Sequence, residues 1–124
     1  ILMENLVIQL RPYVDLVEPE FKRAGYGWKP EMNQDECWLS GAGPWKAKAA
    51  RVLECDKAIV LNPDHEIVCV AEITGVQKIK DRNRILIHAE VQNDHAWVGR
   101  KLQVKNKSQN PIKYVEDPID NLLS

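Results

Sequence analysis

The sequence predicts an α+β domain in which a small, strongly curved β-sheet or barrel follows N-terminal helices. Three observations carry that expectation. The 124 residues are 44% hydrophobic, the size and apolar content of one ordinary domain that encloses a core without disulfide or metal staples. Hydrophobic spacing is helix-like or irregular through the first part of the chain and becomes strand-like after Asp56. The strand-like runs are short, four or five in number, and follow helical segments, which is an α+β signature. The expected organisation is a single domain over 1–124, with a helical and loop-rich lead-in over 1–43 and a helix plus barrel-like strands over 44–115.

Taken in order, Pro12 suits the first turn of a helix, with Leu16, Val17, Glu20, Phe21 and Ala24 at mixed three- and four-residue spacing and Gly25 as its end. Pro19 inside that pattern predicts a kink or two short helical pieces. Gly25 to Gly43 shows neither helical nor strand periodicity and predicts a long ordered loop. Pro44 fits the first position of a second helix, in which Trp45, Ala49, Val52 and Leu53 share a face while Lys46, Lys48 and Arg51 point outward. Ala58 to Leu61, the turn Asn62-Pro63-Asp64-His65, and Ile67 to Ile73 predict a hairpin. Its second strand is apolar on both faces until Glu72, which implies burial between layers or across a small closed barrel. After a charged connection from Lys78 to Asn83, Arg84 to Val91 alternates cleanly, with Ile85, Ile87, Ala89 and Val91 on one face. Leu102 to Val104 and Ile112 to Val115 are weaker strand candidates.

Composition narrows the function classes. Seventeen basic residues stand against eighteen acidic ones, a formal net charge of -1. No global field of the kind that draws a protein to nucleic acid or an anionic membrane exists, so a nucleic-acid site has to be a local patch. Cys37, Cys55 and Cys69 are an odd number without CxxC spacing and read as reduced core thiols of a cytoplasmic protein. The longest apolar runs, such as Ile67 to Ala71, fall far short of the roughly 20 residues of a membrane helix, and no charged-then-apolar leader precedes Met3. The expectation is a soluble protein without membrane attachment.

The motifs for chemistry are thin. GAGPWK at Gly41 to Lys46 resembles a phosphate loop only in its glycines: no strand pattern precedes it, Lys46 stands where GxGxxG needs its last glycine, and no GK[ST] follows. Pro44 removes an amide donor from any such cradle. A looser anion site at this helix start, aided by Lys46 and Lys48, is compatible with the sequence. His65 and Cys69 would stand about 13 Å apart on an extended strand, too far to share an ion. His88 and Glu90 share the polar side of a strand. Pro63-Asp64 with Glu72-Ile73-Thr74 approaches a PD-(D/E)xK pattern, with Thr74 where the lysine should be. No GxSxG occurs, and Asp94-His95 beside Trp97 is the remaining acid–base pair. No catalytic residue, metal ligand or cofactor is assigned.

Aromatic and basic side chains are more informative. Four tryptophans accompany a single phenylalanine. Trp28, Trp38 and Trp97 fall in polar stretches, where a large apolar ring has to cover or stack on something, and binding residues concentrate on loops held by a rigid sheet. Such rings beside Lys46, Lys48, Arg51 and Arg100 suit unstacked bases, whose planes stack while cations hold phosphates.

The run GPWKAKAAR, the hairpin KAIVLNPDHEIVCVAEIT, the strand ending HAEV, then WVGRKL and NPIKYV resemble the small PUA-like β-barrel modules, including EVE- and ASCH-type relatives, over Gly41 to Val115. The resemblance implies a barrel that binds RNA or modified DNA in a cleft lined by aromatic and basic residues. It puts Trp45 with Lys46 at the helix start and Trp97 with Arg100 near the closing strand, and it carries over no catalytic residue. The reading that results is a non-enzymatic nucleic-acid-binding module with Trp28, Trp38, Trp45 and Trp97 as stacking candidates and Lys46, Lys48, Arg51 and Arg100 as phosphate contacts. The alternatives are an interaction or regulatory domain that uses the same aromatics toward a protein partner or a second copy, and a divergent enzyme using Glu72, His88, Glu90, Asp94 or His95.

Overall fold

A computed structural model of the chain describes residues 3–20, 23–80, 83–103, 111–116 and 119–124, with the side chains of 16–26 and of residue 120 left undescribed. Its elements are β1 (Glu4–Gln9), β2 (Val14–Glu20), β3 (Arg23–Tyr26), α1 (Gln34–Gly41), α2 (Ala49–Leu53), β4 (Cys55–Leu61), β5 (Ile67–Ile79), β6 (Arg84–Val91) and β7 (Ile112–Glu116). A short 3-10 turn, Asp120–Leu122, follows. Five strands form one sheet in the order β6-β5-β4-β1-β7, and β2 with β3 forms a separate ribbon. The class is α+β, as expected.

The sheet is mixed. β1 runs parallel to β4, with Leu6 opposite Ala58 and Ile8 opposite Val60, while β1–β7, β4–β5 and β5–β6 are antiparallel. A parallel pair needs a long crossover, and here it holds the β2–β3 ribbon and both helices. Those helices bury one face of the sheet. Leu6, Ile8, Ala58, Val60, Cys69, Ala71, Ile85 and Ile87 form that core with Cys37 and Trp38 of α1 and Val52 of α2. The alternate residues Val7, Ile59, Leu61, Ile67 and Val70 form a second core on the opposite face, under Leu102, Ile119, Trp97 and Val98. Strands covered on both faces lose the apolar–polar alternation, which is why Ala58 to Leu61 of β4 and Ile67 to Ala71 of β5 are apolar throughout. Beyond a register shift between Ile73 and Gly75, β5 no longer pairs with β4 and only the hairpin with β6 continues. Such irregularities increase local twist and curl.

Several expectations need correction. The helices do not come first: β1 precedes them, an interior strand between β4 and β7 whose Asn5 to Ile8 are buried. The run from Pro12 to Gly25 is not a helix but the β2–β3 ribbon, with Val14 opposite Tyr26 and Asp15 opposite Gly25. Pro19 lacks an amide and is tolerated in a two-stranded ribbon far better than in a helix interior. Phe21, one of the residues of the expected helical face, and Val104 of the weaker strand candidate lie outside the described residues. Within the expected loop, α1 starts at a complete capping box: Asn33 Oδ1 accepts from the Glu36 amide at 2.9 Å, and Glu36 Oε1 accepts from the Asn33 amide at 3.2 Å. The second helix begins at Ala49 rather than Pro44, and Leu53 does not share its buried face, being 54% exposed.

The barrel is not closed. β6 and β7 are the two edges of the sheet, and no ladder joins them among the described residues. The β6 edge is instead occupied by the segment after α1. Trp45 and Ile85 exchange backbone bonds of 2.8 and 2.9 Å, and the Ile87 amide donates to Ala42 at 2.8 Å. Bonding Ala42 and Trp45 to the edge satisfies groups that would otherwise offer a template for foreign strands, and it fixes the position of Trp45.

Candidate functional site

A cleft of about 250 Å³ opens where the end of β1 meets the segment that covers β6. Gln9, Leu10 and Arg11 form one wall, Gly43, Pro44 and Trp45 the other, with Ser40, Gly27 and Pro111 completing it. Trp45 is held from two directions: its backbone pairs with Ile85, and its indole Nε1 donates to the Gly41 carbonyl at 2.6 Å. With its N–H already satisfied, the indole offers the cleft apolar surface rather than a donor. Two glycines permit the close approach of main chain here. Gly27 has φ +95, and a Cβ on it would stand 2.6 Å from the carbonyl oxygens of Arg11 and Pro12. Gly43 has φ +113, and its Cβ would stand 2.8 Å from the Ile85 oxygen. The peptide between Gly43 and Pro44 is cis.

Polar groups of the cleft are few and varied. Arg11 is exposed, with no ion pair among the described residues. Gln9 reaches the His65 ring at 3.5 Å through its amide nitrogen, and the Ser40 residue is buried. A guanidinium, a carboxamide and a hydroxyl around one indole can hold a planar ring by stacking and hydrogen-bond its edge, whereas they include no base to abstract a proton and no general acid near neutral pH.

Two further cavities border the helical layer. One of about 530 Å³ lies between the start of α1 and the loop before residue 100, with Trp28, Asp35 and Glu66 in its wall; Gln34 spans it, donating to the Asn93 carbonyl at 2.8 Å. The other, about 410 Å³, is lined by Trp38, Leu39, Gln77, Leu86 and His88 and shares Gly43 with the first cleft.

The expected binding residues do not converge on one point. Trp28, Trp38 and Trp45 pack on the helix-side core, whereas Trp97 packs on the opposite face of the sheet. Trp38 is 7% exposed and acts mainly as core. Lys46 and Lys48 are exposed on the chain that leaves Trp45. Arg51 is engaged elsewhere: its guanidinium lies 3.8 Å from the Tyr114 ring centroid and 3.2 Å from Glu4 Oε2, and the Glu4 hydrogen bond raises its pKa further. That contact clamps α2 to β1 and β7. Arg100 is exposed in the loop that carries Trp97, its amide donating to the Trp97 carbonyl at 3.1 Å. Sequence reasoning missed Gln9, Arg11, Ser40 and Gly27, because the crossover brings their segments together and no local spacing records it.

Trp97 packs against His95, ring centroids 4.5 Å apart and planes tilted by 56°, and its backbone amide donates to His95 Nδ1 at 3.2 Å. Burial, and then the Lys57 charge, hold the His95 pKa below its ordinary 6.5. The neutral ring keeps the Nδ1 lone pair that this bond requires. The three thiols are buried and free. Desolvation pushes Cys37 and Cys55 up to about 11 and Cys69 to about 12, which makes them poor nucleophiles.

The remaining acid–base candidates are scattered. Glu72 and Glu90 are cross-strand neighbours and exposed, His88 bonds Gln77 at 3.0 Å, and Asp94 is exposed in a turn. Asp64 sits in the Asn62 turn, where Asn62 Oδ1 accepts from the Asp64 and Glu66 amides at 2.9 and 3.0 Å. Among the described residues no group of three or more His, Cys, Asp or Glu side chains could hold a metal ion, and no helix is long and apolar enough to cross a membrane. Comparison with family models, curated proteins and solved structures gives no match, so the functional reading rests on the chemistry of the Trp45 cleft.

Proposed function

We propose that this domain is a non-enzymatic nucleic-acid-binding module that holds one unstacked base of RNA or modified DNA in the Trp45 cleft. The observation that carries the reading is the combination, in one cleft, of an immobilised indole with the side chains of Gln9, Arg11 and Ser40. Stacking is worth about 1–3 kcal/mol per base and tolerates any base, while the Gln9 carboxamide and the Ser40 hydroxyl supply edge contacts of the kind that select among bases. Size favours a small occupant. About 250 Å³ lies below the roughly 300 Å³ at which pockets for drug-sized ligands begin. The exposed Lys46 and Lys48 are the phosphate contacts of this reading, with Arg11. The resemblance to PUA-like modules points the same way.

Near-neutral net charge makes long-range attraction weak, so binding is local. Three phosphate contacts give a slope of log K against log salt near −2, at about −0.7 per contact on single strands. The test is a tryptophan-fluorescence titration with short single-stranded RNA and DNA, plain and base-methylated, at low and moderate salt. Saturable, salt-sensitive quenching is expected, lost in Trp45→Ala and with a shallower slope in Lys46→Ala/Lys48→Ala. Quenching that survives Trp45→Ala would move the site away from this cleft. Absence of any response would favour a protein-interaction role, for which Leu39 and Leu53, 39% and 54% exposed on the two helices, provide apolar contact points.

A further inference from the structure

Gly43 forms part of the wall of two cavities. On one side lies the Trp45 cleft; on the other lies the cavity of about 410 Å³ between α1 and the β5–β6 hairpin, lined by Leu39, Leu86 and His88 among others. Gly43 is buried and a Cβ on it would stand 2.8 Å from the Ile85 oxygen, so this residue contributes only main chain to both walls.

We propose that the two cavities are successive subsites, so that the ligand is a dinucleotide step rather than a lone base. The inference rests on the base-binding reading of the Trp45 cleft and deepens it. A strand leaving that cleft has to go somewhere, and the chemistry of the surface decides where. The cleft of about 530 Å³ at the start of α1 carries Asp35 and Glu66 in its wall, which repel a phosphodiester. The Trp97 ring packs on the far face of the sheet. The cavity beyond Gly43 has no carboxylate in its lining and is mostly apolar, which suits the face of a second base. At its rim, His88 and Gln77 bond each other at 3.0 Å and present imidazole and carboxamide groups to the edge of that base. Its larger size accepts a purine as readily as a pyrimidine.

The first subsite is then served by Trp45 and the second by Leu39 and Leu86, and the two can be separated. Affinities are measured by calorimetry or fluorescence for adenosine and uridine 5′-monophosphates, their 3′,5′-bisphosphates and the 5′-phosphorylated dinucleotides pApA and pUpU, each also in base-methylated form. The bisphosphates carry the extra phosphate without the second base. The dinucleotide is expected to bind roughly tenfold more tightly than the bisphosphate, the gain of one packed base. Leu39→Ala/Leu86→Ala is expected to erase that gain while leaving monophosphate affinity unchanged, which also shows that the variant is folded. A bisphosphate that binds as tightly as the dinucleotide, or a gain that survives the double substitution, overturns the second subsite and leaves the base-binding reading standing. If none of the probes binds, both fail together.

Discussion

Asn62 shows how much one side chain settles in this chain. It is 3% exposed, and its Oδ1 serves the Asp64 and Glu66 amides, turning the chain between β4 and β5. His65 follows at φ 67, a left-handed conformation that few non-glycine residues adopt. Its carbonyl then accepts from the Leu102 amide at 3.0 Å, so the turn also seats the loop over the second core. Removing the oxygen leaves two amides short of an acceptor, at about 1–3 kcal/mol for each one that stays buried. Asn62→Ala is therefore expected to lower the free energy of unfolding by a few kcal/mol in urea titration, and Asn62→Asp, which keeps Oδ1, by much less. The turn was legible as Asn-Pro-Asp-His. Gly27 was not, because the carbonyl oxygens that exclude a Cβ there come from Arg11 and Pro12, on another segment.

At the scale of elements, the hairpins were readable and the crossover was not. β4, β5 and β6 carry their strand signals in their own residues, and the alternation of Ile85, Ile87, Ala89 and Val91 matches the buried side of β6. β1 has only a continuous apolar run from Leu6 to Ile8, which periodicity does not distinguish from a short buried helix segment. Its state is decided by its register partners on β4 and β7, such as Ala58 and Tyr114 opposite Leu6, and the first of these pairings needs the crossover to form. The ribbon at Val14 to Tyr26 shows the converse: spacing suited a helix, and cross-strand bonding prevailed. α1 had its own signal, the Asn33-x-x-Glu36 box, which outweighs its lack of amphipathic spacing. Asn33→Ala is expected to cost about 1 kcal/mol, read as a shift of the urea midpoint with unchanged slope. Because α1 ends beside Trp45, the same variant should loosen the cleft and raise amide exchange at Ile85 and Ile87.

The whole molecule is a sheet between two unlike covers, helices on one face and a loop with the C-terminal turn on the other. All three cysteines lie beneath the cover or at its border, at 0 to 5% exposure, so thiol reactivity reports global opening. Alkylation by iodoacetamide at pH 8 is expected to be negligible in the native state and complete in denaturant. The same burial ties stability to alkaline pH. The thiols' ordinary value is 9.0, and in the folded chain they stand at about 11, 11 and 12. Between those limits the unfolded chain has lost protons that the folded chain retains, so stability is full below pH 9 and falls as pH rises toward 11 to 12. Cys37→Ala/Cys55→Ala/Cys69→Ala is expected to flatten that fall in urea titrations run from pH 8 to 10.5, even if the variant is less stable throughout. The sequence by itself determined the α+β class, the β4–β5–β6 meander and the membership of most of the core, because hydrophobic period and turn chemistry are local properties. Only the tertiary structure decided which strand is central, that the barrel stays open, and that Gln9, Arg11, Ser40 and Trp45 share a cleft. Those depend on a parallel pair closed over a long crossover, and contact across such a distance leaves no trace in residue spacing.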